Sequence, residues 1–218
     1  MPLPHAFSFR FLAALIIIVT MPFAAGCSAT VNNSGDTEVA QERASTGTPA
    51  ELEQHVQQVR EDSERLASMV HEGINRQRRA NSLSSLQWDS DLAVIALSHS
   101  KDMAERNYFD HTSPDGKDFQ ARYKQYGYHK QTRIGDMVYV GGENLFLNNV
   151  VESTTFDKNT GVVYEYKFNN LDGLAQSTVD GWMQSEGHRE NILTPFTREG
   201  IGVFVTDDGK VYITENFS

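Results

Sequence analysis

A single cysteine, Cys27, in a chain of 218 residues sets the first limit on the fold. With no second thiol there is no internal disulfide, and Cys-rich zinc modules are excluded as well. An apolar core must therefore hold the fold. The composition, 39% hydrophobic and 22% charged, is that of an ordinary soluble domain, which rules out collagen-like, coiled-coil and wholly disordered chains. The length allows one large domain, or one medium domain with appendages, at ~100–200 residues per domain. A formal net charge of −10 argues against sequence-independent binding of nucleic acid, which needs a basic surface to displace counterions.

The N-terminus reads as an export signal, assigned to residues 1–26. Arg10 supplies the positive charge, Phe11–Val19 is an unbroken apolar run, and Thr20-Met21-Pro22 breaks it. The run is too short for a spanning helix of ~20 residues and suits a signal core of ~7–15. Small residues, Ala24-Ala25-Gly26, lead into Cys27 and resemble the bacterial lipobox, although Ala24 stands where Leu is usual. The resemblance implies cleavage before Cys27 and a diacylglyceryl group on it. Two acyl chains give a stable anchor at ~0.8 kcal/mol per buried CH₂. The expected location is extracytoplasmic, lipid-anchored to the bacterial cell envelope, with the membrane as partner through Cys27. Removing residues 1–26 takes away Arg10 and no acid, so −10 becomes −11. Residues 27–50, rich in Ser, Thr, Asn, Gly and Glu, cannot bury enough surface to offset their ordering entropy and read as a flexible tether.

Beyond the tether the apolar residues fall at helical spacing: Leu52, Val56, Val59, Leu66, Met69, Val70, Ile74. Residues 51–65, the charged half, read as a helical extension, and Leu66 to Arg79 as the better helix. Asp89 or Ser90 can cap a second helix with the stripe Leu92, Ile95, Ala96, His99, Met103. A third runs from about Lys117 to Tyr126, with Phe119, Tyr123 and Tyr126 on one side, and a fourth from Leu171 to Ser185. Val162, Tyr164, Tyr166 and Phe168 alternate against polar neighbours as a strand buried on one face. Ile201–Thr206 and Val211–Phe217 flank a turn, Asp207-Asp208-Gly209-Lys210, and form a hairpin. Helices with an antiparallel sheet make the fold class α+β.

Three segments carry chemistry. Tyr108-Phe109-Asp110-His111-Thr112-Ser113-Pro114-Asp115-Gly116 places a histidine among turn formers. Gly141-Gly142-Glu143-Asn144-Leu145 holds an acid where two glycines allow close backbone approach. Trp182-Met183-Gln184-Ser185-Glu186-Gly187-His188-Arg189-Glu190-Asn191 delivers Ser, Glu and His from a helix end. In this order they resemble the CAP superfamily (cysteine-rich secretory proteins, antigen 5, pathogenesis-related proteins), and its cysteine-poor bacterial SCP-like branch in particular. The resemblance runs from about Leu66 to Phe217, with Leu86-Gln87-Trp88-Asp89 and Tyr212-Ile213-Thr214-Glu215-Asn216-Phe217 included.

The resemblance implies an α-β-α sandwich over residues 66–218, a central antiparallel sheet flanked by helices. It also implies a cleft of two histidines and two acids. His111 and His188 take the histidine positions and Glu143 the first acid. Ser185 stands where eukaryotic members carry the second acid, with Glu186 beside it. A hairpin insertion at about 148–170, absent from typical bacterial relatives, is expected to extend the cleft wall.

The chemistry of His111, His188 and Glu143 stays open at this point. Two neutral imidazoles with a carboxylate nearby suit an open divalent-metal site, zinc for example. They can also hold a proton or polarise water, or form a buried polar network that orders the cleft. Another alternative is a hydrolase acting on peptide or cell-wall material, with Ser185, His188 and Glu143 as catalytic residues, though no Gly-x-Ser-x-Gly turn is present. The expectation is a binding or scaffold module, more than an enzyme, whose cleft takes a cation or a lipid, small-molecule or protein ligand. His99 reads as a hydrogen-bonded core histidine, and Asp102, Glu105 and Arg106 as a solvated face. Arg189 and Asn191 read as structural residues of the loop after the fourth helix, Trp88 and Trp182 as large buried surfaces.

Overall fold

The computed structural model describes residues 46–218. The expected signal peptide at residues 1–26 and the lipidation candidate Cys27, with residues 27–45 of the expected tether, lie outside the described residues. In chain order the elements are β1 (Thr46–Gly47), α1 (Pro49–Glu61), α2 (Ser63–Ala80), β2 (Gln87–Trp88), α3 (Ser90–Glu105) and α4 (Phe119–Gln125). Then come β3 (Thr132–Ile134), β4 (Met137–Tyr139), β5 (Gly142–Asn149), β6 (Val151–Phe156) and β7 (Val163–Phe168). The chain closes with α5 (Leu171–Gln184), α6 (Glu186–Leu193), β8 (Arg198–Val205) and β9 (Lys210–Phe217).

The central sheet has the order β2-β8-β9-β5, antiparallel throughout except for the short parallel pairing of β2 with β8. Helix α3 covers one face. Its first turn is held by the Asp89 carboxylate, which accepts from the N–H groups of Asp91 (3.0 Å) and Leu92 (3.4 Å). It lies so close to β8 that a Cβ added at Gly202 would stand 1.9 Å from the Leu97 nitrogen. Helices α2, α5 and α6 cover the other face, where Leu66, Val70, Ile74, Val179, Trp182 and Ile213 make the main core. The sandwich is α-β-α, as the resemblance implies.

Several expectations need correction. Residues 51–65 are not an appended extension. Helix α1 buries Val56 and Val59 in the main core, and the Glu51 carboxylate accepts from the Thr48 N–H (2.6 Å) and hydroxyl (3.0 Å) to fix its start. The break falls at Asp62, and the tether is already ordered at β1, which pairs with β7. The charged outer face of α1 hid its inner apolar edge. Trp88 is 43% exposed, since β2 is too short to be covered, whereas Trp182 is fully buried and its indole N–H donates to the Leu145 carbonyl (2.9 Å).

The hairpin β6–β7 exists but does not extend the cleft wall. It leaves the Asn149 end of β5, six residues from Glu143, or ~20 Å along the strand at ~3.3 Å per residue. There Phe168 stacks on His55 of α1, and His55 Nε2 donates to the Asn169 carbonyl (2.9 Å). Tyr166 stacks on Phe168, while Tyr164 and Val162 stay exposed. The hairpin packs on α1 and builds its own sheet with β1.

Candidate functional site

Strand β5 is an edge of the central sheet, and its first residues open the cleft. Gly141, at φ 154°, brings the chain against the Phe217 carbonyl and the Tyr123 ring, where a Cβ would be 2.7 Å from each. That approach sends Glu143 under the loop carrying His111. The Glu143 side chain is 1% exposed and both its oxygens are used: Oε1 accepts from His111 Nδ1 (3.0 Å) and Oε2 from Arg122 (2.6 Å). His111 is half exposed, and with Nδ1–H given to Glu143 its Nε2 carries a free lone pair.

His188 enters from the other side on α6, its ring centroid 6.5 Å from that of His111. Burial, and then the neighbouring His111, lower the His188 pKa from its ordinary value. A network of amides fixes this side. Asn191 Nδ2 donates to the Glu143 carbonyl (3.1 Å) and to Asn144 Oδ1 (2.9 Å), and Asn144 Nδ2 donates to the His188 carbonyl (3.2 Å). Arg189 Nη1 donates to the Met183 carbonyl (2.9 Å), closing the end of α5 as expected of a structural arginine. These residues sit on a helix, α6, and not on the loop that the sequence suggests.

The cleft thus brings together His111, Glu143 and His188. Ser185 is the N-cap residue of α6, and among the described residues its hydroxyl makes no hydrogen bond, to His188 or to anything else. Glu186 is exposed and joins no ion pair among the described residues. His99 is buried and hydrogen-bonded, its Nε2 donating to the Asp110 carbonyl (3.1 Å), yet it also lies 3.9 Å from Glu143 and so forms part of the cleft floor. Burial lowers its pKa, against the opposing pull of Glu143. Asp102 is less solvated than its spacing suggests, since the Tyr108 hydroxyl donates to it (2.5 Å).

Arg122 is the residue that sequence reasoning missed. It donates to the carbonyls of Lys117 (2.8 Å) and His111 (3.1 Å) as well as to Glu143, so it fastens the His111 loop to the acid. The signal was available: Arg122 falls at helical spacing with Phe119, Tyr123 and Tyr126, a charge within an apolar stripe. A cavity of about 560 Å³, lined by Val94, Tyr126, Tyr128 and Lys130 among others, includes none of the cleft residues.

An α-β-α sandwich with two histidines and a buried acid at the free edge of its sheet defines the class of domain. The family model described as the cysteine-rich secretory protein family, CAP, matches residues 71–217, and the chain belongs to that family. It is similar to the Uncharacterized membrane protein YlbC of Bacillus subtilis (strain 168), at 32% identity over 143 residues, 64% of this chain and 30% of that protein. It is similar also to the Uncharacterized protein YkwD of the same organism, at 33% over 135 residues, 61% of this chain and 40% of that one. The match therefore spans well under half the length of these relatives.

Among solved structures, an extracellular protein containing a SCP domain from Bacillus anthracis str. Ames is 28% identical with a TM-score of 0.51, covering 78% of this chain and 43% of that one. An outer surface protein from Borrelia burgdorferi, 16% identical with a TM-score of 0.51, covers 72% and 93% respectively and shows the fold alone. Among the described residues, no helix is long and apolar enough to cross a membrane.

Proposed function

We propose that this chain is a lipid-anchored, extracytoplasmic CAP module that binds ligands without catalysis, and that its cleft takes a divalent cation through His111 and His188. The observation that carries the reading is the disposition of Glu143. Both of its oxygens are engaged within the protein, so it orients His111 from behind and leaves His111 Nε2 free, with the His188 ring centroid 6.5 Å away. A carboxylate behind a ligating imidazole fixes its tautomer and ring orientation. Burial lowers the His188 pKa, which favours the neutral form that a ligand needs.

The donor set fits such an ion only as an open site. Among the described residues no cluster of three or more His, Cys, Asp or Glu is arranged to hold a metal. Two imidazoles supply protein ligands, water completes the coordination, and the positive Arg122 behind Glu143 keeps affinity moderate. Zinc is the cation that two neutral imidazoles with water suit well. A bound ion would present a Lewis-acidic centre to a carboxylate or phosphate group of a partner.

The lipobox-like run before Cys27 and the words "extracellular" and "membrane" in the names of similar proteins support an envelope location. The hydrolase alternative lacks support: Ser185 has no hydrogen bond to His188, and Glu143 serves His111 instead. Zinc titration by calorimetry tests the reading. One ion should bind the parent protein, and binding should disappear in His111→Ala and in His188→Ala; uptake unchanged in both would remove the cation from this cleft.

A further inference from the structure

The face of the central sheet turned toward α2 and α6 is largely apolar, yet it carries two acids on adjacent strands. Glu199 of β8 and Glu215 of β9 are both fully buried, among Ile201, Ile213 and Phe217. Two ionised carboxylates do not persist in such a place without neutralisation. Helix α2 faces them with His71, Asn75 and Arg78, and β5 with Asn144, while Glu72 acts on His71 from outside. Arg78 gives its hydrogens to the carbonyls of Ser84 (2.9 Å), Thr194 (2.7 Å), Phe196 (3.1 Å) and Ile192, so it lends the pair charge but no hydrogen bond.

The hydrogen positions can be worked out from the backbone inward. The Leu86 N–H donates to Asn75 Oδ1 (2.7 Å) and the Leu86 carbonyl accepts from Asn75 Nδ2 (3.1 Å), which fixes the orientation of that amide. Its remaining hydrogen points to His71 Nε2 (3.2 Å), so His71 carries its proton on Nδ1 and donates it to Glu199 Oε1. At the other end Asn144 Nδ2 donates one hydrogen to Glu215 Oε2 (3.0 Å) and the other to the His188 carbonyl (3.2 Å). Each acid is left with one buried oxygen that no donor reaches, Glu199 Oε2 and Glu215 Oε1, and the two acids are diagonal neighbours on paired strands. Two carboxylate oxygens bond only with a proton between them.

We propose that Glu199 and Glu215 share one proton, and that this proton is a pH-sensitive latch holding Asn144, and through it the His188 turn of α6, in the geometry of the cleft. The proposal concerns regulation of the cleft described above and rests on that reading for its consequence, though not for its chemistry. Burial raises the Glu199 pKa to about 7 and carries Glu215 well above the ordinary carboxyl range, with the charge of Glu199 adding to it. The values belong to the pair, so one proton leaves it near neutrality and the other, the shared one, only above that. A folded value above the unfolded one means that the contribution to stability is present at low pH and is lost as pH rises through neutrality. Once the shared proton leaves as well, two buried charges repel, Glu215 shifts from Asn144, and the hold on the His188 carbonyl slackens.

Gln at either position supplies the missing hydrogen permanently while keeping the other bond, to Asn144 or to His71. The test is a carboxyl-carbon NMR titration of the parent protein, Glu215→Gln and Glu199→Gln from acid to mildly alkaline pH, with thermal unfolding over the same range. In the parent protein one carboxyl should titrate at about 7 and the other above it, and Tm should fall by several degrees between acid and alkaline pH. The ring signals of His188 should move with the upper of the two steps. In both variants the upper step and the His188 shift should vanish, and Glu199→Gln serves if Glu215→Gln does not fold. Both carboxyls titrating in the ordinary glutamate range, about 4.3, would overturn the shared proton; a high carboxyl step with His188 unmoved would overturn the latch. Neither readout involves a bound cation, so a failure to bind zinc is a separate result.

Discussion

Arg122 and Glu143 meet at 2.6 Å with side chains 7% and 1% exposed, so neither charge has water to fall back on. Removing one member of such a buried pair strands the other and typically costs ~3–5 kcal/mol. Arg122→Ala is therefore expected to destabilise the domain by about that much in urea unfolding. It should also release the His111 loop, whose carbonyl Arg122 holds at 3.1 Å. A loss below ~1 kcal/mol would mean that the pair behaves as an exposed surface bridge. At this scale the motif residues were legible. His111, Glu143 and His188 stand in turn-forming or helix-end sequences, and their family order placed them in one cleft. Arg122 was not legible as a partner because helical spacing shows that a charge lies on a buried stripe without showing what it meets there.

Strong amphipathic periodicity made α2, α3 and α5 readable, and alternation made β7 to β9 readable. The misreadings were of elements whose burial depends on distant parts of the chain. Helix α1 carries few apolar residues, and the ones that count, Val56 and Val59, find their partners in the main core. Helix α6 is short and polar, held by Asn144 and Asn191 and started at Ser185, so it read as loop. The hairpin was visible as two arms and a turn, but its direction depends on which end of β5 it leaves. Because that end is remote from Glu143, replacing Asn149–Asn169 by a short Gly-Ser turn should lower stability without touching the cleft. Loss of Phe168 from beneath His55 alone is worth ~3 kcal/mol, a fall in Tm of several degrees for a domain of this size. Zinc uptake should be unchanged, and its loss on this replacement would show that the hairpin reaches the cleft after all.

At the scale of the whole molecule, the proposed lipid anchor is separate from a domain whose cleft is built without a disulfide. The proposal of an anchor rests on Cys27 after Ala24-Ala25-Gly26. In a bacterial host Cys27→Ser should move the protein from the membrane fraction to the soluble one with the domain folded, and persistence with membranes after a high-salt wash would refute the lipid anchor. The central claim lies in the domain, where the ring centroids of His111 and His188 are 6.5 Å apart with Glu143 behind one of them. Crystals grown with zinc and measured on both sides of the zinc absorption edge test it most directly. The account predicts one anomalous peak between the two imidazoles, within ~2.0–2.1 Å of a nitrogen of each. No peak at the cleft, or a zinc held by other residues while the imidazoles stay apart, would contradict it.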